Sequence, residues 1–213
     1  MPRYYPAFLD LREKVAVVVG GGEVAERKVE LLLSCRAAVK LISSTLTPGL
    51  TRLRNERAIR VELRPFQSGD CAGAFLVFAC TDDPVVNARV AKEAQEIHAL
   101  VNVADTPTLC DFYAPSVVSR GDLLIAISTG GASPALAKRL RQEIEQRVGP
   151  EYEELVRLCE EVRKEVHALV SDPQQRQRIF EQFLDSDVLE LIRNGNRAGI
   201  TALIERLLSQ PSS

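Results

Sequence analysis

Apolar residues fall into short blocks in the first half of the chain and into helical stripes in the second. Val15 to Val19 is an unbroken run that ends in Gly20-Gly21-Gly22 and leads into apolar positions at helical spacing from Val24 to Leu33. That pattern predicts a strand, a glycine turn and a helix. Further blocks at Val39–Ser43, Ile59–Leu63, Ala74–Cys80 and Leu100–Ala104 have the length of strands buried on both faces. Between the last two, Pro84 to His98 reads as a helix with Asp83 as its cap and Pro84 at its first position. Strands alternating with helices build a parallel sheet covered on both sides, here over residues 1–113.

From residue 114 the pattern changes. Ala114–Ser119 and Leu123–Ser128 are strand-like runs around Arg120-Gly121-Asp122, a hairpin signature. A helix follows, with Ser133 as cap and Pro134 at its first position, running to about Arg147, where Gly149-Pro150 stops it. Beyond lie Leu155, Leu158, Val162, Val166 and Leu169, then Ile179, Phe183, Leu184, Val188, Leu191 and Ile192, all at helical spacing. The expected organisation is an α/β domain over 1–113, a hairpin-plus-helix segment over 114–150 and a small helical domain over 151–213.

Composition narrows the class. The 213 residues carry 27 basic and 29 acidic side chains, and 46% are hydrophobic, which is enough for a globular core. The longest apolar run, Ala74 to Cys80, has seven residues, against roughly 20 for a membrane span. Met1 to Lys14 holds five charged residues and no apolar stretch, so no secretory signal is read and a cytoplasmic protein is expected. The five cysteines form no C-x-x-C pair, and neither a disulfide framework nor a metal site is signalled. Net charge is 0 over 1–114 (14 basic, 14 acidic), +2 over 115–150 (five, three) and −4 over 151–213 (eight, twelve). A nucleic-acid footprint would need clustered basic residues. The small middle excess suits small anions instead.

Gly20-Gly21-Gly22-Glu23-Val24-Ala25 matches the dinucleotide-binding form G-x-G-x-x-A, directly after the first strand and opening a helix. Gly20 would permit the tight turn, Gly22 would let the backbone approach a pyrophosphate, and Ala25 would allow close helix-to-strand packing. The alternative is a glycine-rich turn with no ligand. An acidic residue about 20 positions on would accept ribose hydroxyls, yet the second strand ends in Ser43-Ser44-Thr45. Hydroxyls must do that work, and with no Arg at the strand end NAD is favoured over NADP. Thr81 at the fourth strand end is a candidate cofactor contact; Asp83 reads as a cap.

Asp105 stands at the carboxyl end of the fifth strand, in Asn102-Val103-Ala104-Asp105-Thr106-Pro107, where ligands bind in open α/β sheets. It is either a catalytic carboxylate or the first residue of an Asx turn. No Tyr has a Lys four residues later, and His98 and His167 read as helix-surface residues, so a carboxylate leads the candidates for a base.

These motifs, together with Glu26-Arg27-Lys28, Thr81-Asp82-Asp83, Ala114-Pro115-Ser116 and Ser128-Thr129-Gly130-Gly131-Ala132-Ser133-Pro134, resemble the precorrin-2 dehydrogenase family, also found as the N-terminal half of siroheme synthase. The resemblance runs in order from about Tyr5 to Glu145 and more loosely beyond. It implies a Rossmann-type NAD-binding domain, a dimerisation arm, a helical C-terminal domain and a homodimer. It implies oxidation of precorrin-2 to sirohydrochlorin with reduction of NAD, and, in some members, ferrochelatase activity with ferrous iron as a second substrate. Carried over by position, Gly20, Gly22, Glu23, Val24, Ser44 and Thr45 would contact the cofactor, and Asp105 would be catalytic. Thr129 stands where some relatives have Ser.

Precorrin-2 is a polycarboxylate tetrapyrrole, so its binder needs cations and N–H donors. Ser128, Thr129 and Gly130, at a helix N-terminus, with Arg120 and Lys138, are the candidates. Arg141 lies one helical turn from Lys138. Two other functions stay open: a non-catalytic NAD-sensing module, which would need Gly20 and Gly22 but not Asp105, and a dedicated chelatase, for which no ligand cluster is read. Neither nucleic acid nor a membrane is expected as a partner.

Overall fold

In the computed structural model, which describes residues 4–209, the chain forms two units, Tyr4–Ala114 and a second that begins at Pro115. Residues 1–3 and 210–213, the ends of the expected first and last segments, lie outside the described residues. The first unit holds strands β1 (Val15–Val19), β2 (Ala38–Ile42), β3 (Arg60–Glu62), β4 (Leu76–Ala79) and β5 (Leu100–Val103). Their spatial order is β3-β2-β1-β4-β5, and every neighbouring pair is parallel. Helices α1 (Glu23–Ser34), α2 (Pro48–Asn55) and α3 (Pro84–Glu96) connect them.

Successive strand residues point to opposite faces, and both faces are covered. Ala16, Val18, Leu41 and Phe78 pack with Ala25, Val29 and Leu32 of α1 and Leu50 of α2. Val17, Val19, Ile42, Val77 and Val101 pack with Val90, Ala91 and Ala94 of α3. This double burial is why the strands read as unbroken apolar blocks. Strand order steps outward from β1 through β2 to β3, then returns to place β4 on the other side of β1. The two directions part at the carboxyl ends of β1 and β4, where open α/β sheets form their ligand crevice.

The helix α2 has no counterpart among the expected elements. It buries one residue completely, Leu50, so no apolar stripe marks it, but Thr47 caps it by accepting from the Leu50 N–H, and Pro48 opens it. The three helices of this unit end at residues with left-handed backbone, Arg36, Arg57 and His98. The segment read as helical to His98 therefore stops at Glu96, with His98 turning the chain.

In the second unit, β6 (Ser116–Arg120) and β7 (Leu123–Ile127) pair antiparallel, with Arg120 opposite Leu123. Only Gly121 and Asp122 form the turn, one residue fewer than the sequence suggested, and the positive φ of Gly121 (57°) is the geometry that two-residue hairpins use. Helix α4 (Pro134–Arg147) starts at Ser133, whose hydroxyl accepts from the Leu136 N–H. Helices α5 (Glu151–Leu169), α6 (Pro173–Leu184), α7 (Val188–Arg193) and α8 (Arg197–Leu208) enclose a separate core around Leu158, Val162, Phe183 and Leu203.

Candidate functional site

A crevice of about 310 Å³ opens at the switch point of the sheet, lined by Gly20, Gly21 and Gly22 after β1, Ser43, Ser44 and Thr45 after β2, Pro65 and Phe66 after β3, and Cys80, Thr81 and Asp82 after β4. The expected cofactor residues Gly20, Gly22, Ser44, Thr45 and Thr81 are thus brought together. Glu23 and Val24 are exposed on the first turn of α1, and neither side chain lines the crevice. They can meet a ligand through their backbone N–H groups.

Those groups are free to do so. The cap position of α1 is Gly22, which has no side chain to satisfy the first-turn N–H groups, so the positive end of the helix is left for an anion. Each glycine has its own reason. Gly20 has φ +122°, and a Cβ there would stand 2.4 Å from the Cys80 carbonyl oxygen. At Gly21 a Cβ would fall 1.9 Å from the Thr45 carbonyl oxygen, a constraint on the middle glycine that the motif does not carry. A Cβ on Gly22 would meet nothing within 4 Å. The first two glycines let strands and turns close on each other, and the third opens onto empty space that a pyrophosphate could fill. An uncapped helix end beside a cradle of this kind fits a dinucleotide.

The crevice rim is fixed by side chains behind it. Asn87, 6% exposed on α3, accepts from the Thr81 N–H and hydroxyl and donates to the Thr81 carbonyl (3.2, 2.8 and 2.9 Å). Its signal in the sequence was a polar residue on the otherwise apolar face that holds Val90 and Ala91. Asp83, as expected, caps α3, accepting from the Val85 and Val86 N–H groups. Ser43 donates to the Thr45 carbonyl at 2.7 Å, leaving the exposed Ser44 and Thr45 hydroxyls to face a ligand. Cys80 is buried, which pushes its thiol up to about 11 and keeps it protonated and unreactive at neutral pH.

The Pro65-Phe66 wall is held by a buried acid. Asp70, 5% exposed, takes a two-point contact from the Arg64 guanidinium at 2.8 and 2.7 Å, accepts from the Gln67 N–H, and lies 3.6 Å from Lys40. The Arg64 contact leads in lowering its carboxyl to about 2, and the Gln67 N–H adds to it. Glu93 of α3 accepts from the Gly69 and Cys71 N–H groups and ties the same loop down.

Asp105 stands two residues past the β4–β5 pair Ala79–Val103, on the strand end next to Thr81 but outside the crevice lining. It is exposed, with φ 56°, a left-handed conformation that Asp tolerates better than most residues. Among the described residues its carboxylate makes no hydrogen bond or ion pair. The Asx turn weighed for it cannot form in its usual i to i+2 form, because residue i+2 is Pro107 and has no N–H. The carboxylate thus stands free at the strand end.

In the second unit, the Ser128 and Thr129 hydroxyls accept from the N–H groups of Gly130 and Ser133 within their own loop, leaving their protons available to donate. Lys138 is exposed on α4. Arg120 is engaged elsewhere: its guanidinium donates to the carbonyls of Ser119, Glu145 and Val148, and so closes the end of α4. It ties the hairpin to the helix instead of presenting a free cation.

Comparison with known proteins gives three matching families in chain order: one described as putative NAD(P)-binding over residues 7–116, the sirohaem biosynthesis protein central region over 120–147, and the sirohaem synthase dimerisation region over 151–208. The siroheme synthase of Methylococcus capsulatus is 40% identical over 192 residues, 90% of this chain and 40% of that protein. That of Thioalkalivibrio sulfidiphilus is 38% identical over 205 residues, 96% of this chain and 42% of that protein. The chain thus spans about two fifths of these relatives. A solved structure titled "SirC, precorrin-2 dehydrogenase" matches with a TM-score of 0.82 and 25% identity, over 97% of this chain and 100% of that one. With the glycine turn, the switch-point crevice and all three segments accounted for, the chain belongs to the precorrin-2 dehydrogenase and siroheme synthase family.

Proposed function

We propose that this chain oxidises precorrin-2 to sirohydrochlorin with reduction of NAD, on the route to sirohaem. The observation that carries this reading is the pairing, within one unit, of an uncapped helix end at the glycine turn with the unpartnered Asp105 carboxylate two strands away along the same sheet edge. Bound NAD supplies the hydride acceptor. The first-turn N–H groups from Gly22 to Val24 hold the pyrophosphate, the Ser44 and Thr45 hydroxyls bind the ribose, and Thr81, locked by Asn87, shapes the far side. NAD is preferred to NADP because no free cation among the described residues lines the crevice.

Oxidation removes a hydride and a proton, and the Asp105 carboxylate is the group that takes the proton, since no donor or cation competes for it. The Ser128 and Thr129 hydroxyls and the Gly130 backbone, with Lys138, bind substrate carboxylates. Arg120, held by backbone carbonyls at the other end of the hairpin and of α4, takes no part in that contact. Two copies form the active protein. The outward face of the hairpin carries exposed Val117 and Leu124, and this arm, together with the region 151–208 whose family description names dimerisation, makes the contact. A monomer by light scattering at micromolar concentration would contradict that.

The test is anaerobic incubation of precorrin-2 with NAD, following NADH and sirohydrochlorin by absorbance, for the wild type and Asp105→Asn. NADH formation that depends on Asp105 is the expected result. NAD binding without any turnover would favour the sensing module. No group of three or more His, Cys, Asp or Glu placed for a metal ion occurs among the described residues.

A further inference from the structure

The ion pair behind the crevice has a use beyond holding a loop. The Ser43 and Arg64 N–H groups both donate to the Glu62 carbonyl, at 3.2 and 3.0 Å, so the chain after β3 lies beside the end of β2. That is where a cofactor's adenosine ribose sits in a fold of this kind, and where enzymes that take NADP place an Arg for the 2′-phosphate. Arg64 is in that neighbourhood, with Pro65 next to it in the crevice wall. Its guanidinium is spent: it holds both Asp70 oxygens and the Pro65 carbonyl, with the Glu62 carboxylate 3.9 Å away. Asp70 is anchored in turn by the Gln67 N–H and by Lys40. Two cations and two carboxylates cancel, and the ribose end of the crevice is left without positive charge.

We propose that Asp70 sets cofactor choice by withholding Arg64 from the crevice, so that a ribose 2′-phosphate finds no clamp while the plain diol of NAD is accepted. This rests on the reading of the crevice as an NAD site. An ion pair that only braced the Pro65-Phe66 wall would, on removal, weaken both dinucleotides alike. A withheld guanidinium, once released, favours the phosphorylated one.

Calorimetric titration with NAD and with NADP at one fixed ionic strength separates the two. Asp70→Asn keeps the side-chain shape and frees Arg64, and the ratio of NADP to NAD affinity is expected to rise about tenfold, the effect of gaining one charge-assisted contact. The double variant Asp70→Asn with Arg64→Met should return the ratio to its wild-type value. An unchanged ratio in folded Asp70→Asn that still binds NAD overturns the specificity role alone. Wild-type protein that binds neither dinucleotide overturns the NAD site as well. If Asp70→Asn does not fold, Arg64→Met decides: a guanidinium already withheld contributes nothing, so its ratio should match the wild type, and a drop in NADP relative to NAD overturns the proposal.

Discussion

Alanine at Gly20 should cost stability and alanine at Gly22 should cost cofactor affinity, although the two glycines stand two residues apart in one turn. Gly22 has φ −86° and ψ −174°, extended backbone open to any residue, and a Cβ there meets no atom within 4 Å. Replacing it removes freedom from the unfolded chain, worth about 0.4–1 kcal/mol, but puts alanine at a helix cap where glycine is preferred by a similar amount, so stability should change little. The same methyl group stands where the pyrophosphate approaches, so NAD affinity should fall by about tenfold or more, the equivalent of one lost contact. Gly20 is the reverse case. Its φ of +122° costs an alanine about 1–3 kcal/mol in backbone strain. The new Cβ would also stand 2.4 Å from the Cys80 carbonyl oxygen. That oxygen belongs to the end of a central strand and cannot swing aside, so overpacking adds a further 1–3 kcal/mol or so. Urea denaturation followed by circular dichroism gives the stability difference, and titration with NAD gives the affinity. Gly22→Ala should unfold within about 1 kcal/mol of the wild type, and Gly20→Ala well below it. A Gly22→Ala protein that binds NAD as tightly as the wild type would refute the placement of the pyrophosphate. One that loses as much stability as Gly20→Ala would refute the account of the turn.

Asp105→Asn should fold and bind NAD normally yet lose about 10²- to 10⁴-fold in turnover, as expected for a missing proton acceptor; near-wild-type turnover would assign proton removal to another group. Asn87→Ala leaves the Thr81 N–H and carbonyl without their buried partner and should cost about 1–3 kcal/mol, with NAD affinity falling in parallel; denaturation and titration on the same samples measure both. Asp70 has its carboxyl lowered to about 2 from 3.8, so its contribution is complete above pH 4 and lost as pH falls through 2. Allowing for solvent around Arg64, that contribution is about 1–2 kcal/mol, and the stability of Asp70→Asn should drop less between pH 4 and pH 2 than that of the wild type, as read from urea midpoints.

The sheet was legible because burial on both faces leaves unbroken apolar blocks, and β1 coincides with the run that the glycines end. Caps were legible at Asp83-Pro84 and Ser133-Pro134, where a capping side chain precedes proline and an apolar stripe follows. Thr47-Pro48 has the same chemistry, but α2 has no stripe, and local signals alone did not reveal it. Within the site, Gly20, Gly22, Ser44, Thr45 and Thr81, which line the crevice, were readable from the motif and from strand ends. The residues behind them were not. Asn87 and Asp70 act through partners six residues away in sequence, Thr81 and Arg64, and only the fold brings these across from one loop or helix to the next. Gly21 escaped for a related reason: its constraint comes from Thr45, on another turn.

The clamp of Asn87 on Thr81 bears on the kinetics of cofactor capture. A rim already held by three hydrogen bonds has little conformational freedom to surrender when a ligand arrives, so ordering it adds little to the cost of association. Encounter should then proceed in a single bimolecular phase, with an observed rate linear in NAD concentration and no slower rearrangement behind it. Loosening the clamp changes how long the dinucleotide stays more than how quickly it enters, and the lifetime of the complex becomes the quantity that Asn87 governs.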